Sequence, residues 1–320
     1  MQQQNTDAVK VDLLNSLSFE YWDVNPVEGL KYAKQALLLA EKINSKPGIA
    51  EAYTNIGRSY RRMTNITKAL EFSFKSLKLY EELNDKHGIA SNLLNIGNAY
   101  RVQKDFDKAL EYLFKALKIN EDLKDMVWVA RCLNSIGNVY KDKKDYKNTL
   151  NYYSRSLKTA EAINDKDRIT AATTNLGSVY GLMKNYDQAL KCDMEALKMY
   201  KVLGKKVGIS ECYINLGMLY LDVYKDKGLK ANLDLAKNYC DSAIAMDSEA
   251  GHLEGLQWDY KFLTTVLSEI GDHKGALKSY AYYVLIKDSI SNGETNRRIA
   301  QLEKNNEEDL KQKEIEIQKL

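Results

Sequence analysis

Proline is nearly absent: two in 320 residues, beside 17 glycines. A chain so short of turn formers is neither a turn-rich all-β protein nor a low-complexity one. No apolar run approaches the roughly 18 residues a membrane helix needs; the longest, 281–286, has six. Neither sign of charge is in excess, with 47 Lys and Arg against 44 Asp and Glu. Nucleic acid and anionic lipid are therefore not expected as main partners, and a membrane connection could come only from sequence outside the chain. The four cysteines (Cys132, Cys192, Cys212, Cys240) form no CxxC pair, and His87, His252 and His273 are as scattered. Without zinc spacing, no metal or cofactor is expected, and the cysteines read as small buried hydrophobes. No glycine-rich phosphate loop, HExxH or GxSxG occurs, so no catalysis is expected of the chain itself. Phenylalanine is scarce, 6 against 22 tyrosines. That bias fits half-buried sites where a ring packs and its hydroxyl stays wet. Residues 1–10 have neither a basic start nor an apolar stretch, so no signal peptide is read there.

What the chain does contain is a repeat. Asn55-Ile-Gly-Arg-Ser-Tyr60 returns as Asn95-Ile-Gly-Asn-Ala-Tyr100, Ser135-Ile-Gly-Asn-Val-Tyr140, Asn175-Leu-Gly-Ser-Val-Tyr180 and Asn215-Leu-Gly-Met-Leu-Tyr220, always 40 residues apart. Ala69-Leu70, Ala109-Leu110, Thr149-Leu150 and Ala189-Leu190 keep the same period, as do Ser76, Ala116, Ser156 and Ala196. Apolar residues at helical spacing, as in Tyr53, Ile56 and Tyr60, make each unit two helices. Polar pairs break them: Thr64-Asn65, Lys104-Asp105, Lys144-Asp145, Lys184-Asn185. Glycine or alanine sits where helices must cross closely, so a bulkier side chain at Gly97 is expected to push its partner helix away.

These residues resemble the tetratricopeptide repeat (TPR) family, whose pattern wants a small residue at position 8, Tyr at 11, Ala at 20 and a small residue at 27. Gly57, Tyr60, Ala69 and Ser76 and their equivalents fill those places. The period is 40 rather than 34, and the usual Trp at position 4 and the closing Pro are missing. The resemblance implies an all-α, right-handed TPR superhelix of antiparallel helix pairs: about seven repeats over residues 1–290, then a charged helix over 291–320 as a possible coiled-coil linker and dimer contact. The first unit departs by placing Leu17 where the glycine belongs. The sixth has seven extra residues between Tyr220 and Ala236, read as a lengthened hairpin.

In TPR proteins the groove presents positions 2, 5, 6, 9, 12 and 13. Counting from the glycine, position 6 holds Asn55, Asn95, Ser135, Asn175 and Asn215. Position 9 holds Arg58, Asn98, Asn138, Ser178 and Met218, and position 12 holds Arg61, Arg101, Lys141, Gly181 and Leu221. Arg62 and Arg131 fall at positions 13 and 2. Amides carry donor and acceptor together, so the Asn ladder can pair with a peptide backbone or, equally, bond the neighbouring helix. The cations Arg58, Arg62, Arg101, Arg131 and Lys141 suit a peptide with acidic character; Leu182, Met218 and Leu221 offer a more apolar surface. Thr54, Leu94 and Ser135 break the register of the chaperone-binding carboxylate clamp, so that ligand is not expected.

The opening segment, from Asp12 to Tyr21 and then Asn25-Pro26, is similar to the first unit of TPR input regions in bacterial sensor histidine kinases. This implies a sensory module whose activity lies outside the chain, in an extracytoplasmic setting. A free-standing, cytoplasmic TPR adaptor that scaffolds a protein complex is the alternative.

Overall fold

The computed structural model describes residues 2–289. They form fourteen α-helices, and no strand occurs among the described residues. These are α1 (Gln2–Val24), α2 (Pro26–Lys42), α3 (Lys46–Arg62), α4 (Ile66–Glu82), α5 (Lys86–Val102), α6 (Phe106–Asp122), α7 (Met126–Asp142), α8 (Tyr146–Ala162), α9 (Lys166–Leu182), α10 (Tyr186–Leu203), α11 (Lys206–Lys227), α12 (Ala231–Ala250), α13 (Leu253–Ile270) and α14 (273–289). The expected charged helix and dimer contact at 291–320 lie outside the described residues. The chain divides into two compact units between Val179 and Tyr180.

The 40-residue period has a simple origin. Each helix from α2 to α9 is 17 residues long, and three residues join it to the next. The middle one is left-handed every time: Asn44, Thr64, Asn84, Lys104, Lys124, Lys144, Asn164 and Lys184, with φ between 53° and 64°. The third is an N-cap. Ser45, Asn65, Asp85, Asp105, Asp125, Asp145 and Asn185 each accept the amide N–H three residues on. The carbonyls behind are closed too. Asn65 N–H donates to Tyr60 O (2.9 Å) and Thr64 N–H to Arg61 O (3.0 Å), a Schellman turn. The turns within and between repeats share this geometry.

In unit 1, α1, α3, α5 and α7 contact one another in sequence, while α2, α4, α6 and α8 contact only the odd-numbered helices beside them. The odd helices therefore line the inner side of the stack. Glycines set the crossing distance. A Cβ on Gly97 would lie 2.7 Å from Leu113 Cγ, and one on Gly137 would lie 2.5 Å from Tyr153 Cδ1. Tyrosines build the outer seam. Tyr60 stacks on Phe72 (5.8 Å), Tyr100 on Tyr112 (5.5 Å) and Tyr140 on Tyr152 (5.4 Å). Phe74 and Phe114 bridge edge-on to the next repeat's ring, and Lys68 and Lys108 lie over Tyr60 and Tyr100.

The first hairpin corrects the expectation for Leu17. The α1–α2 turn is a single residue, Asn25. Losing two turn residues rotates α1, so Leu17 faces outward, 42% exposed. The close crossing passes to Ser18, whose hydroxyl donates to Gly29 O at 2.7 Å.

In unit 2 the extra residues lengthen α11 to 22 and α12 to 20, joined through left-handed Gly228 (φ 70°). Where α12 meets α13, Asp247 and Asp259 are both 2% exposed. Asp247 also packs against Gly255, where any Cβ would collide with its carboxylate. His252 lies 3.1 Å from Asp247 Oδ1. Burial, with Asp247 adding to it, pushes the Asp259 carboxyl up to about 8.

Two outcomes follow from this packing. Gly137→Ala should lower stability by about 1–3 kcal/mol through overpacking on the Tyr153 ring, measured as a lower urea midpoint with an unchanged slope. Asp259 is free to ionise near its ordinary 3.8 when unfolded but holds its proton to about 8 when folded. The folded state thus binds more protons between those values. Its contribution is complete below about pH 4 and lost as pH rises through 8. Asp259→Asn should flatten that decline in thermal melts from pH 5 to 9; an unchanged decline would locate it elsewhere.

Candidate functional site

The inner layer of unit 1 brings most of the candidate residues together. Adjacent helices meet in fixed register, because each 40-residue step reproduces the same facing. Position 9 of one helix reaches position 2 of the next: Arg58 donates from its Nη2 to Ser91 Oγ at 3.0 Å. Arg101 on α5 pairs with Asp142 on α7 at 2.7 Å, and Asn175 Nδ2 on α9 donates to Asn134 Oδ1 on α7 at 2.7 Å.

The Asn ladder splits by burial. Asn55 is 1% exposed; its Nδ2 donates to Asn15 O at 3.1 Å, and its Oδ1 accepts from Arg58 Nη1 at 3.4 Å. It joins α1 to α3 and aims the arginine. Asn95 is 7% exposed, with its Nδ2 buried and without a hydrogen bond. Asn98 and Asn138, at position 9, are half-buried. Asn138 accepts from the Tyr153 hydroxyl at 2.6 Å, the ring having passed beneath Gly137, whereas Asn98 makes no hydrogen bond among the described residues. Thr54 is buried against Ser76 (2.8 Å) and Asn92, away from this surface.

The cations have distinct surroundings. Arg58 lies over the Phe19 ring at 5.2 Å, Arg61 over Trp22 at 5.4 Å, and Arg131 over Trp128 at 4.8 Å. Burial, then repulsion from Arg131 and Arg61, pulls the Arg58 guanidinium down to about 10; Glu51 only partly offsets this. Burial and then Arg168 lower Arg131. Burial also lowers Lys141, Asp142 opposes the shift, and Arg101 adds to it. All three remain charged at neutral pH. Among the described residues no carboxylate lies within ion-pair distance of Arg58, Arg131 or Lys141. Arg62 is exposed at the end of α3.

Asn215 belongs to unit 2 and is half-buried on α11. Met218 beside it is 50% exposed, but Leu221 is 4% exposed and packs with Leu233 and Leu263. Leu221 therefore belongs to the core of unit 2, not to an apolar binding surface. The lengthened α11 buries it.

The sequence reading missed Phe19, Trp22, Ser91, Trp128, Asn134 and Tyr153. Trp128 was findable, three residues before Arg131 on one helical face. Phe19 and Trp22 were not, because their facing depends on the shortened first turn.

Tetratricopeptide repeat models match residues 50–85, 88–162 and 167–223, more than half of the chain. No curated protein matches it. Several solved structures share the fold. A Rap protein complexed with competence and sporulation factor superposes with a TM-score of 0.67 at 14% identity, over 91% of this chain and 79% of that one. The Rap conjugation regulator of plasmid pLS20, in complex with the Phr* peptide, gives 0.63 at 15%, over 86% and 72%. A signal-transduction ATPase with a TPR sensor, from Pyrococcus horikoshii, gives 0.64 at 16%, over 88% of this chain and 45% of that longer one. At such identities these likenesses establish the all-helical solenoid fold alone. The repeat signature, the paired 17-residue helices and the matched repeat models agree: the chain belongs to the tetratricopeptide repeat family.

Proposed function

We propose that the inner face of unit 1 binds an extended peptide of acidic character, so that the chain works as a peptide-binding module. The observation that carries this reading is the set of charges and amides the fold leaves unspent there. Arg58, Arg131 and Lys141 have no carboxylate partner, and Asn98 has an amide with both hydrogen-bonding halves open. An extended chain offers the complement, carbonyls and N–H groups for amides and carboxylates for guanidinium forks. The remaining candidates take supporting parts in the proposal. Asn55 and Asn95 back the surface, Asn138 and Asn175 edge it, Arg101 is half committed to Asp142, and Arg62 stands at its rim. Asn215 would extend the amide row on unit 2. The Rap regulator solved with the Phr* peptide supports a peptide as ligand.

For the module's role, the reading is sensory input to a bacterial signalling protein of the histidine-kinase type. Two observations support it. The opening segment resembles such input regions, and a fold neighbour is described as carrying a TPR sensor in a signal-transduction ATPase. The effector would lie in sequence outside the chain.

The test is selection from a random peptide library, followed by anisotropy titrations. Selected peptides should be acidic, and their affinity should fall several-fold between about 0.05 and 0.5 M salt. Asn98→Ala should weaken binding by about 1 kcal/mol without moving the melting temperature, whereas Asn55→Ala should lower both. Peptides that bind equally at all salt concentrations and ignore Asn98→Ala would place recognition on another surface.

A further inference from the structure

We propose that Arg58, Asn98 and Arg131, from three successive inner helices, form a clasp for one carboxylate group of the bound peptide. The inference rests on the peptide reading and adds its anchor point.

Three observations lead to it. First, Arg131 makes no hydrogen bond within the described residues. A guanidinium has five N–H donors in a rigid fork, and here Trp128, 4.8 Å beneath it, fixes its plane. The fork is oriented but unused. Second, the nearby carboxylates that attract Arg131 are committed elsewhere. Asp125 caps α7 by accepting the Trp128 N–H (3.2 Å) and lies 3.6 Å from His87. Asp165 pairs with Arg168 at 3.0 Å and accepts its backbone N–H at 3.1 Å. The fold had two acidic side chains within electrostatic reach of Arg131 and spent both on helix starts. Third, Arg58 is the more buried of the two arginines and close enough to Arg131 for their charges to repel. Its position is fixed by Phe19, Asn55 and Ser91, and those two hydrogen bonds use two of its five donors.

Asn98 belongs to the site by register. Arg58 and Ser91 meet as positions 9 and 2 of neighbouring helices. Asn98 and Arg131 are the same two positions one repeat later. A carboxylate seated there would accept from both forks and the Asn98 amide, and would relieve the repulsion between the arginines. No other group within the described residues does so. A carboxylate fits better than a neutral acceptor, because only a negative charge removes that repulsion. The carboxylate could be the peptide's C-terminus or an Asp or Glu side chain.

The experiment uses the full chain and two probes. With sodium acetate at constant ionic strength, the Nε–Hε resonances of Arg58 and Arg131 should shift and saturate together, and the Arg58 shift should vanish in Arg131→Gln. Resonances that never saturate, or that move no more than Arg62's, would overturn the clasp. The second probe is a selected acidic peptide as free acid, as C-terminal amide, and with its Asp and Glu replaced by Asn and Gln. Arg131→Gln should cost tenfold or more in affinity for the form carrying the anchoring carboxylate and nothing for the form lacking it, which identifies the source. Arg131→Lys should recover only part, since charge returns without the fork. Peptides that bind wild type and Arg131→Gln equally would sink the clasp and leave peptide binding standing. Saturable acetate binding with no selectable peptide would do the reverse.

Discussion

Each hairpin from α2 to α10 hangs on one backbone torsion. At every twentieth residue from Asn44 to Lys184 the chain enters the left-handed region, at a cost of about 1–2 kcal/mol wherever the residue is not glycine. Asn lowers that cost; Lys104, Lys124, Lys144 and Lys184 do not. The N-cap beside each turn returns about 1 kcal/mol, and the Schellman bonds satisfy carbonyls otherwise left open. Turn and cap together run close to even. What they provide is uniformity: with every helix 17 residues and every turn three, residues 40 apart face the same way. The tyrosine stacks, the glycine crossings and the position 9 to position 2 contacts all depend on it.

Where the torsion is absent, the register fails. Asn25 alone joins α1 to α2, and α1 turns Leu17 outward while Ser18 takes the crossing at Gly29. The same rotation brings Phe19 and Trp22 under Arg58 and Arg61. An irregular cap thereby supplies the aromatic surface that fixes the first cations of the inner face.

The regular features were legible in the sequence because they are local. Period, helix pairing, the polar breaks and the small residues at crossings follow from spacing and residue type. The fate of each amide was not legible. Asn55 and Asn95 share a motif position with Asn175, but Asn55 is consumed by a backbone carbonyl 40 residues away and Asn175 by a side chain 41 residues away. Position 6 lies on the border between the inner face and the hairpin interior. Small changes in the neighbouring helix decide which side an amide joins. Leu221 misled for a related reason: a longer α11 carries its position into the core of unit 2. The acidic seam was invisible because Asp247 and Asp259 are twelve residues apart with a turn between them.

Two violations of ordinary charge pairing remain, and they differ in kind. Asp247 and Asp259 are buried together, and Asp259 answers the conflict by keeping its proton. A carboxyl can do this because its ordinary value lies only a few units below neutrality. Arg58 and Arg131 have no such escape, since a guanidinium stays charged even at about 10. Their repulsion must be borne by the fold or removed by an anion from outside. The acid pair thus resolves its conflict internally, while the arginines resolve theirs only by binding. The same rule, that neighbouring like charges raise the energy of a partly buried site, makes one pair a feature of stability and the other a place for a ligand.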